Sequence, residues 1–246
     1  MFIDVHCHLD MLKNPEKIID NAKSKGVGLI VANGTKPETN RKVIELSKFD
    51  EVLPALGVYP NEALLMRDSE IDEEIKFIRE TKPSAIGEVG MDFVEYEDVN
   101  KQMEVFDRFI DLSKELEIPI IVHSRKAERE CVDMLEKKEA KKVIMHYFSG
   151  KLNLLDKIVS NGWFLSIPTC VKNSQHFQQV IEKVPIESLL CETDSPYSHP
   201  DKEFPNEPAN VIESYKKISE IKGISLEEVE KKLEDNFNRL FNRKIF

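Results

Sequence analysis

Eight short apolar runs rich in β-branched residues recur along this chain, beginning near Phe2, Val27, Val52, Ser84, Ile118, Lys142, Trp163 and Ser188, with helical patterns between them. That alternation constrains the fold more than any other feature. Parallel strands cannot be joined by a tight hairpin, so strand–helix–strand repeats imply a parallel sheet. About eight such units in 246 residues favour a closed α/β architecture, the (β/α)8 TIM barrel, over an open sheet. The helical patterns cover 15–25, 37–48, 71–81, 101–116, 127–138 and 152–161, with a shorter one at 177–183. Pro15, Pro37 and Pro119 mark element starts, and Gly26 suits a helix stop. Residues 195–208 are rich in proline and polar side chains and read as a long loop over the active face. Helices over 209–222 and 225–242 close the chain, the second opening on the capping box Ser225-Leu226-Glu227-Glu228. Residues 1–246 are expected to form one domain.

Composition narrows the setting. The chain is 41% hydrophobic, enough for a sizeable core, and its apolar runs are all under ten residues, too short to cross a bilayer. Met1 leads directly into a strand-like segment, so no secretory signal is expected. Cys7, Cys131, Cys170 and Cys191 show no CxxC spacing, which fits reduced thiols in a cytoplasmic protein. The formal net charge of −10 argues against nucleic-acid binding driven by bulk electrostatics. It leaves a phosphate substrate open, because bound cations can reverse the local field.

Ligand-type residues gather where the apolar runs end. His6 and His8 close the first run, Glu88 the fourth, His123 the fifth, His146 the sixth and Asp194 the eighth. On a strand the His6–His8 spacing puts both imidazoles on one face and Cys7 on the other. Taken singly, Glu88 is a solvated carboxylate before a glycine, His123 and His146 are structural imidazoles, and Asp194 is a turn residue. Together they occupy the C-terminal strand ends where barrel enzymes build active sites, and their types are those of a divalent-metal site. Four imidazoles and two carboxylates suit Zn²⁺, Mn²⁺, Fe²⁺ or Co²⁺, and Mg²⁺ less readily. Six ligands exceed one tetrahedral zinc but divide well between two ions, about 3.5–4 Å apart in such sites. Glu88 would bridge them, and Asp194 would bind one ion and take the nucleophile's proton. Asp4 and Glu192 share strand parity with the ligands and would either fix histidine tautomers or make structural hydrogen bonds. His176 reads as a loop or helix-start residue. His199, on the 195–208 loop, either meets substrate or is solvated.

The chain resembles the TatD family of metal-dependent hydrolases in six blocks. These are Phe2-Ile3-Asp4-Val5-His6-Cys7-His8-Leu9-Asp10, Ala85-Ile86-Gly87-Glu88-Val89-Gly90-Met91-Asp92, Ile121-Val122-His123-Ser124-Arg125, His146-Tyr147-Phe148-Ser149-Gly150, Glu192-Thr193-Asp194-Ser195-Pro196-Tyr197 and Asn206-Glu207-Pro208-Ala209-Asn210-Val211. They occur in the family's order and span almost the whole sequence. The resemblance implies an amidohydrolase-type barrel that hydrolyses phosphate esters, typically as a deoxyribonuclease. It implies that His6, His8, Glu88 and Asp194 hold one ion, and that Glu88, His123 and His146 hold the other. Two segments depart from the family pattern. Tyr59 stands where the family often has histidine, and 203–208 lacks the basic residue often found before Asn206-Glu207-Pro208. Tyr59 and Asn206 are expected near the substrate, and Arg125 is either a phosphate contact or an acid-paired rim arginine.

The leading expectation is a metal-dependent phosphodiesterase or nuclease acting on nucleic acid or a small phosphodiester. A hydrolase of a small ester, amide or lactone is the alternative, and a non-cleaving module that binds nucleic-acid ends is a third reading. Neither membrane association nor an obligate protein partner is inferred.

Overall fold

In a computed structural model describing residues 1–94 and 98–243, eight strands form one parallel sheet in sequence order. They are β1 (Phe2–Cys7), β2 (Val27–Asn33), β3 (Val52–Leu56), β4 (Ala85–Gly90), β5 (Ile120–His123), β6 (Val143–Met145), β7 (Phe164–Pro168) and β8 (Leu189–Glu192). The sheet curls until its edges meet. Asp194 N donates to His6 O (2.9 Å) and His8 N donates to Ser195 O (2.7 Å). The buried Asp4 carboxylate strengthens this seam by accepting from Thr193 N (2.9 Å) and Thr193 Oγ1 (2.6 Å).

The helices are α1 (Pro15–Ser24), α2 (Pro37–Leu46), α3 (Pro60–Leu65), α4 (Asp68–Thr81), α5 (Val99–Leu116), α6 (Glu128–Lys137), α7 (Leu155–Ser160), α8 (Gln175–Lys183), α9 (Ile212–Lys222) and α10 (Leu226–Phe241). Proline opens α1, α2 and α3, where its missing N–H costs no helix bond. Ser225 caps α10 by accepting from Glu228 N (3.1 Å), as the capping box implies. Three segments differ from the sequence expectation. The short α3 was not expected, residues 152–161 divide into a 3-10 turn and α7, and Pro208–Val211 is a 3-10 turn preceding α9. None of the described helices is long and apolar enough to cross a membrane.

Strands buried on both faces create two cores. The larger lies between sheet and helices, and includes Cys7, Ile30, Ile86, Val122, Met145 and Leu165. The smaller fills the barrel with Ile3, Val5, Val31, Ile121, Ile144 and Leu190, among others. Phe237, Leu240 and Phe241 of α10 join this inner cluster, with the two phenyl rings stacked at 4.2 Å. Full burial of Phe237 alone contributes about 1.5–3 kcal/mol. In β5 and β6 the inner residues Ile121 and Ile144 stand two positions before His123 and His146. Strand periodicity therefore turns these histidines into the barrel mouth. In β1 and β4 the ladder slips, between Asp4 and Cys7 and between Ile86 and Val89, where His6 and Glu88 stand.

Candidate metal centre

Six side chains converge where β1, β4, β5, β6 and β8 end. His6 lies within β1 and His8 just past it, Glu88 within β4, His123 at the end of β5, His146 just past β6 and Asp194 two residues past β8. Local backbone makes the convergence possible. Gly90 has φ +142°, and a Cβ there would stand 2.0 Å from the His123 carbonyl oxygen, so only glycine lets β4 lie against this part of β5. Asp194 has φ +55°, a left-handed conformation that aspartate tolerates better than most residues.

The six fall into two groups on either side of Glu88. On one side, Glu88 Oε2 lies 3.4 Å from His8 Nε2 and 3.7 Å from His6 Nε2, while Asp194 Oδ1 lies 3.6 Å from His6 Nε2 and 3.7 Å from His8 Nε2. On the other, Glu88 Oε1 lies 2.8 Å from His123 Nδ1 and 3.6 Å from His146 Nε2. Candidate ligand atoms of His6, His8 and Asp194 lie within 4.8 Å of one another, as do those of Glu88, His123 and His146. His6 stacks on His146 at 3.6 Å between ring centres, which holds the two groups together.

The groups behind these side chains set ring orientation. His8 Nδ1 lies 3.2 Å from the Asn33 carbonyl, so it donates there and leaves Nε2 as the electron-pair donor. His146 Nδ1 donates to Glu192 Oε2 (2.9 Å), and Glu192 is itself held by Ser166 Oγ and by Tyr147 N (3.0 Å). His123 Nε2 lies 3.2 Å from Asp92 Oδ2, which also accepts from the Tyr59 hydroxyl (2.9 Å). Glu192 thus supports a histidine as its strand parity implied. Asp4 does not: its carboxylate serves the backbone N of His6 (3.2 Å) and Thr193. Asp92 and the Asn33 carbonyl had no assigned role in the sequence reading. Asp92 stood four residues past Glu88 as a possible signal, whereas a backbone carbonyl leaves none.

Electrostatics distinguish the side chains. Burial, and then the charge on His146, holds His6 well below the ordinary imidazole range. Burial also opposes charge on His146, but Glu192 outweighs it and raises the ring's pKa to about 10. Burial pushes Asp194 up to about 6 against the pull of His146 and His8. It pushes Glu88 the same way, yet the His123 hydrogen bond and surrounding imidazoles hold that carboxyl well below its usual range. Asp92 is lowered to about 2, because bonds from His123, Val94 N and Tyr59 overcome its burial.

His6 supplies the test of fit for a cation. It is fully buried, and neither ring nitrogen has a hydrogen-bond partner among the described residues. Leaving such a buried group unsatisfied costs roughly 1–3 kcal/mol. A neutral imidazole facing two carboxylates can offset that cost by ligating a divalent ion, and the mixed nitrogen and oxygen donor set suits one.

A cleft of about 400 Å³ opens above the two groups, lined additionally by Met11, Tyr59, Arg125 and Tyr197. Tyr59 lines the cleft, close to both Asp92 and His123. Arg125 is half exposed at the rim, 4.0 Å from Asp92 Oδ2. Asn206 corrects the expectation of a substrate contact. It is fully buried outside the cleft, donating to Thr193 O (2.9 Å) and Thr169 Oγ1 (3.0 Å) while Glu207 N donates to its Oδ1 (2.9 Å). That amide ties the long 195–208 loop to Thr193 and Thr169. His176 and His199 also stay outside the cleft lining, bonding to Phe148 O and to Asp201 N.

Residues 3–242 match the family model described as TatD related DNase. Human deoxyribonuclease TATDN3 is 35% identical, covering 97% of this chain and 94% of its own. An uncharacterized metal-dependent hydrolase of Methanocaldococcus jannaschii is 34% identical, covering 99% of this chain and 98% of its own. Among solved structures, the TatD homolog YjjV of Escherichia coli superposes with a TM-score of 0.90 at 26% identity, over 99% of this chain and 98% of that one.

Proposed function

The chain belongs to the TatD family of metal-dependent hydrolases, and from that premise we propose that it cleaves phosphodiester bonds in DNA with two divalent ions. His6, His8, Glu88 and Asp194 would hold one ion and Glu88, His123 and His146 the other. The observation that carries this reading is the Glu88 carboxylate, whose two oxygens face opposite groups, Oε2 toward His8 and Oε1 toward His123. When bound, such ions supply Lewis acidity to phosphoryl oxygens and lower the pKa of an attacking water.

The residues do the rest. Glu88 places negative charge between the two groups and would offset repulsion between cations held there. Asp194, with its side chain 16% exposed to the cleft, would accept the proton of the attacking water. Arg125 offers planar N–H donors to a phosphate oxygen at the rim. Tyr59 and Asp92 hold His123 so that Nδ1 faces Glu88. The catalytic unit would be one domain spanning residues 1–246. A cytoplasmic setting is supported by four unpaired cysteines, three of them buried.

A substrate screen tests the activity. Metal-stripped protein should be inactive, and reconstitution with Mn²⁺, Zn²⁺ or Mg²⁺ should restore cleavage of a single-stranded oligodeoxynucleotide. With Arg125 as the cation at the cleft, the salt slope should be shallow, roughly −0.7 per phosphate neutralised for about two or three phosphates. Faster metal-dependent turnover of a carboxyl ester or lactone than of any phosphodiester would reverse the assignment.

A further inference from the structure

A fully buried glutamine stands on α5 where helical spacing calls for an apolar side chain. Gln102 opens the buried stripe Gln102, Val105, Phe106 and Phe109, spaced i, i+3, i+4 and i+7. Its companions on that stripe are hydrophobic. An amide in such a place is costly unless its donor and its acceptor are both satisfied. Both are, and by a single residue. Asp92 N donates to Gln102 Oε1 (2.7 Å), and Gln102 Nε2 donates to Asp92 O (2.9 Å).

The strand ladder explains why Asp92 takes this partner. Past β4 the chain keeps pairing with the end of β5: Met91 N donates to His123 O (3.0 Å) and Phe93 N to Arg125 O (3.0 Å). By strand alternation the N–H and C=O of Asp92, between them, face the opposite edge. The ladder of β3 with β4 stops at the Leu56–Ile86 pair, and β3 itself ends at Leu56. The Gln102 amide therefore does for Asp92 what a neighbouring strand would do, and leaves no buried main-chain group unpaired there.

The residue so held carries the carboxylate behind a candidate ligand. Val94 N donates to Asp92 Oδ1 (2.9 Å). The other oxygen, Oδ2, accepts from the Tyr59 hydroxyl (2.9 Å) and lies 3.2 Å from His123 Nε2. Gln102 thus fixes the main chain of Asp92 and Val94 N one carboxylate oxygen, which leaves the second oxygen aimed at His123. The other ligand group draws on a different edge, since His8 Nδ1 rests on the Asn33 carbonyl of β2.

We propose that Gln102 is a positioning residue for the His123–His146 group, its amide holding the Asp92 main chain so that the carboxylate keeps His123 Nδ1 turned toward a cation. This rests on the two-ion reading above and adds to it a residue of α5 outside the cleft lining. It predicts a selective loss, confined to one of the two ions. A residue of the core with no such role would lower stability and leave both groups alike.

Chains reduced to one ligand group test the assignment. His8→Asn should leave only the Glu88–His123–His146 group able to bind, and His146→Asn only the other. Zn²⁺ binding to each is measured by calorimetry with and without Gln102→Leu, which keeps the bulk and removes both bonds to Asp92. Affinity of the first chain should fall about tenfold, the lower end for a partner behind a ligand. That of the second should stay within about twofold, as for independent sites. The Co²⁺ absorption spectrum should change in the first chain and not in the second. Val105→Ala, on the same stripe, should lower the melting temperature and leave both affinities alone. In an Asp92→Ala background Gln102→Leu should cost no further affinity, because no carboxylate remains to be placed. Gln102→Met keeps the unbranched shape and carries the same readings should Gln102→Leu not fold. Unchanged affinity in the first chain, equal losses in both, or a full additional loss in the Asp92→Ala background would overturn the role. A wild-type chain that takes one ion only would sink the two-ion reading, and Gln102 would then stand or fall on whether Gln102→Leu weakens that ion.

Discussion

The two ligand groups around Glu88 are built from similar donors yet supported in different ways. In the His123–His146 group each imidazole is backed by a carboxylate, Asp92 or Glu192. In the His6–His8 group one ring is backed by a neutral carbonyl, that of Asn33, and the other by no hydrogen-bond partner among the described residues. A carboxylate behind an imidazole raises its basicity as a ligand and strengthens its hold on a cation. It also strengthens its hold on a proton. The contrast teaches a division of labour: the carboxylate-backed group should retain its ion more firmly, while the other group, containing the cleft-facing Asp194, should hold the more exchangeable ion.

Glu88→Gln is the harshest break of this comparison, since that carboxylate belongs to both groups. Metal analysis should show loss of both ions and turnover should be abolished, whereas His8→Asn should cost only one ion. Two retained ions with normal turnover would remove Glu88 as the bridge. Asp194→Asn comes next. The amide can ligate weakly but cannot accept a proton, so kcat under saturating metal should fall about 10²–10⁴-fold, with the other group's ion retained. Near-normal kcat would leave Asp194 a turn residue.

Glu192→Gln sharpens the contrast on the opposite side. Metal affinity or activity should fall about 10–100-fold, and titration should locate the loss in the His123–His146 group alone. Equal weakening of both groups would mean that they do not act separately.

The smallest effect concerns pH. With its pKa raised to about 10 in the metal-free protein, His146 is protonated at neutral pH and must release that proton for Nε2 to ligate. Affinity at this group should rise with pH by up to about tenfold per unit below pH 10. Calorimetry in buffers of different ionisation enthalpy would detect the proton. The His146–Glu192 pairing raises the folded pKa above the unfolded value near 6.5. Its stabilisation of the metal-free protein is therefore complete below that pH and lost as pH rises toward 10. A melting temperature insensitive to Glu192→Gln below pH 6.5 would contradict this linkage.

The sequence made the barrel legible because period and spacing are local signals. Its strand starts at Phe2, Val27 and Val52 are those of the structure. The six convergent residues were readable for a related reason: a polar residue ending an apolar strand has few places to point except the mouth. Supporting contacts were less accessible. Asp92 meets His123 across two strands, Asn33 acts through its carbonyl, and Asn206 carries a polar side chain that Thr193 and Thr169 absorb. The helix α3 was missed because six residues cannot display helical periodicity. The pairing of Tyr197 with Met11 at the cleft escaped because Tyr197 lies in a loop that has no period at all, and its adjacency to Met11 depends on the barrel closing.

That closure has a consequence for how the protein is made. Asp4 and Thr193, which clasp the seam, are 189 residues apart. His6 and His8 leave the ribosome among the first residues and must then wait for Asp194. Glu88, His123 and His146 all precede β7, although Glu192, which backs His146, arrives only with β8. Closing a loop of 189 residues is among the entropically costlier contacts of the fold. A product of interrupted synthesis therefore has its earliest histidines but not their aspartate, and the His6–His8–Asp194 group cannot assemble until translation has run past the eighth strand.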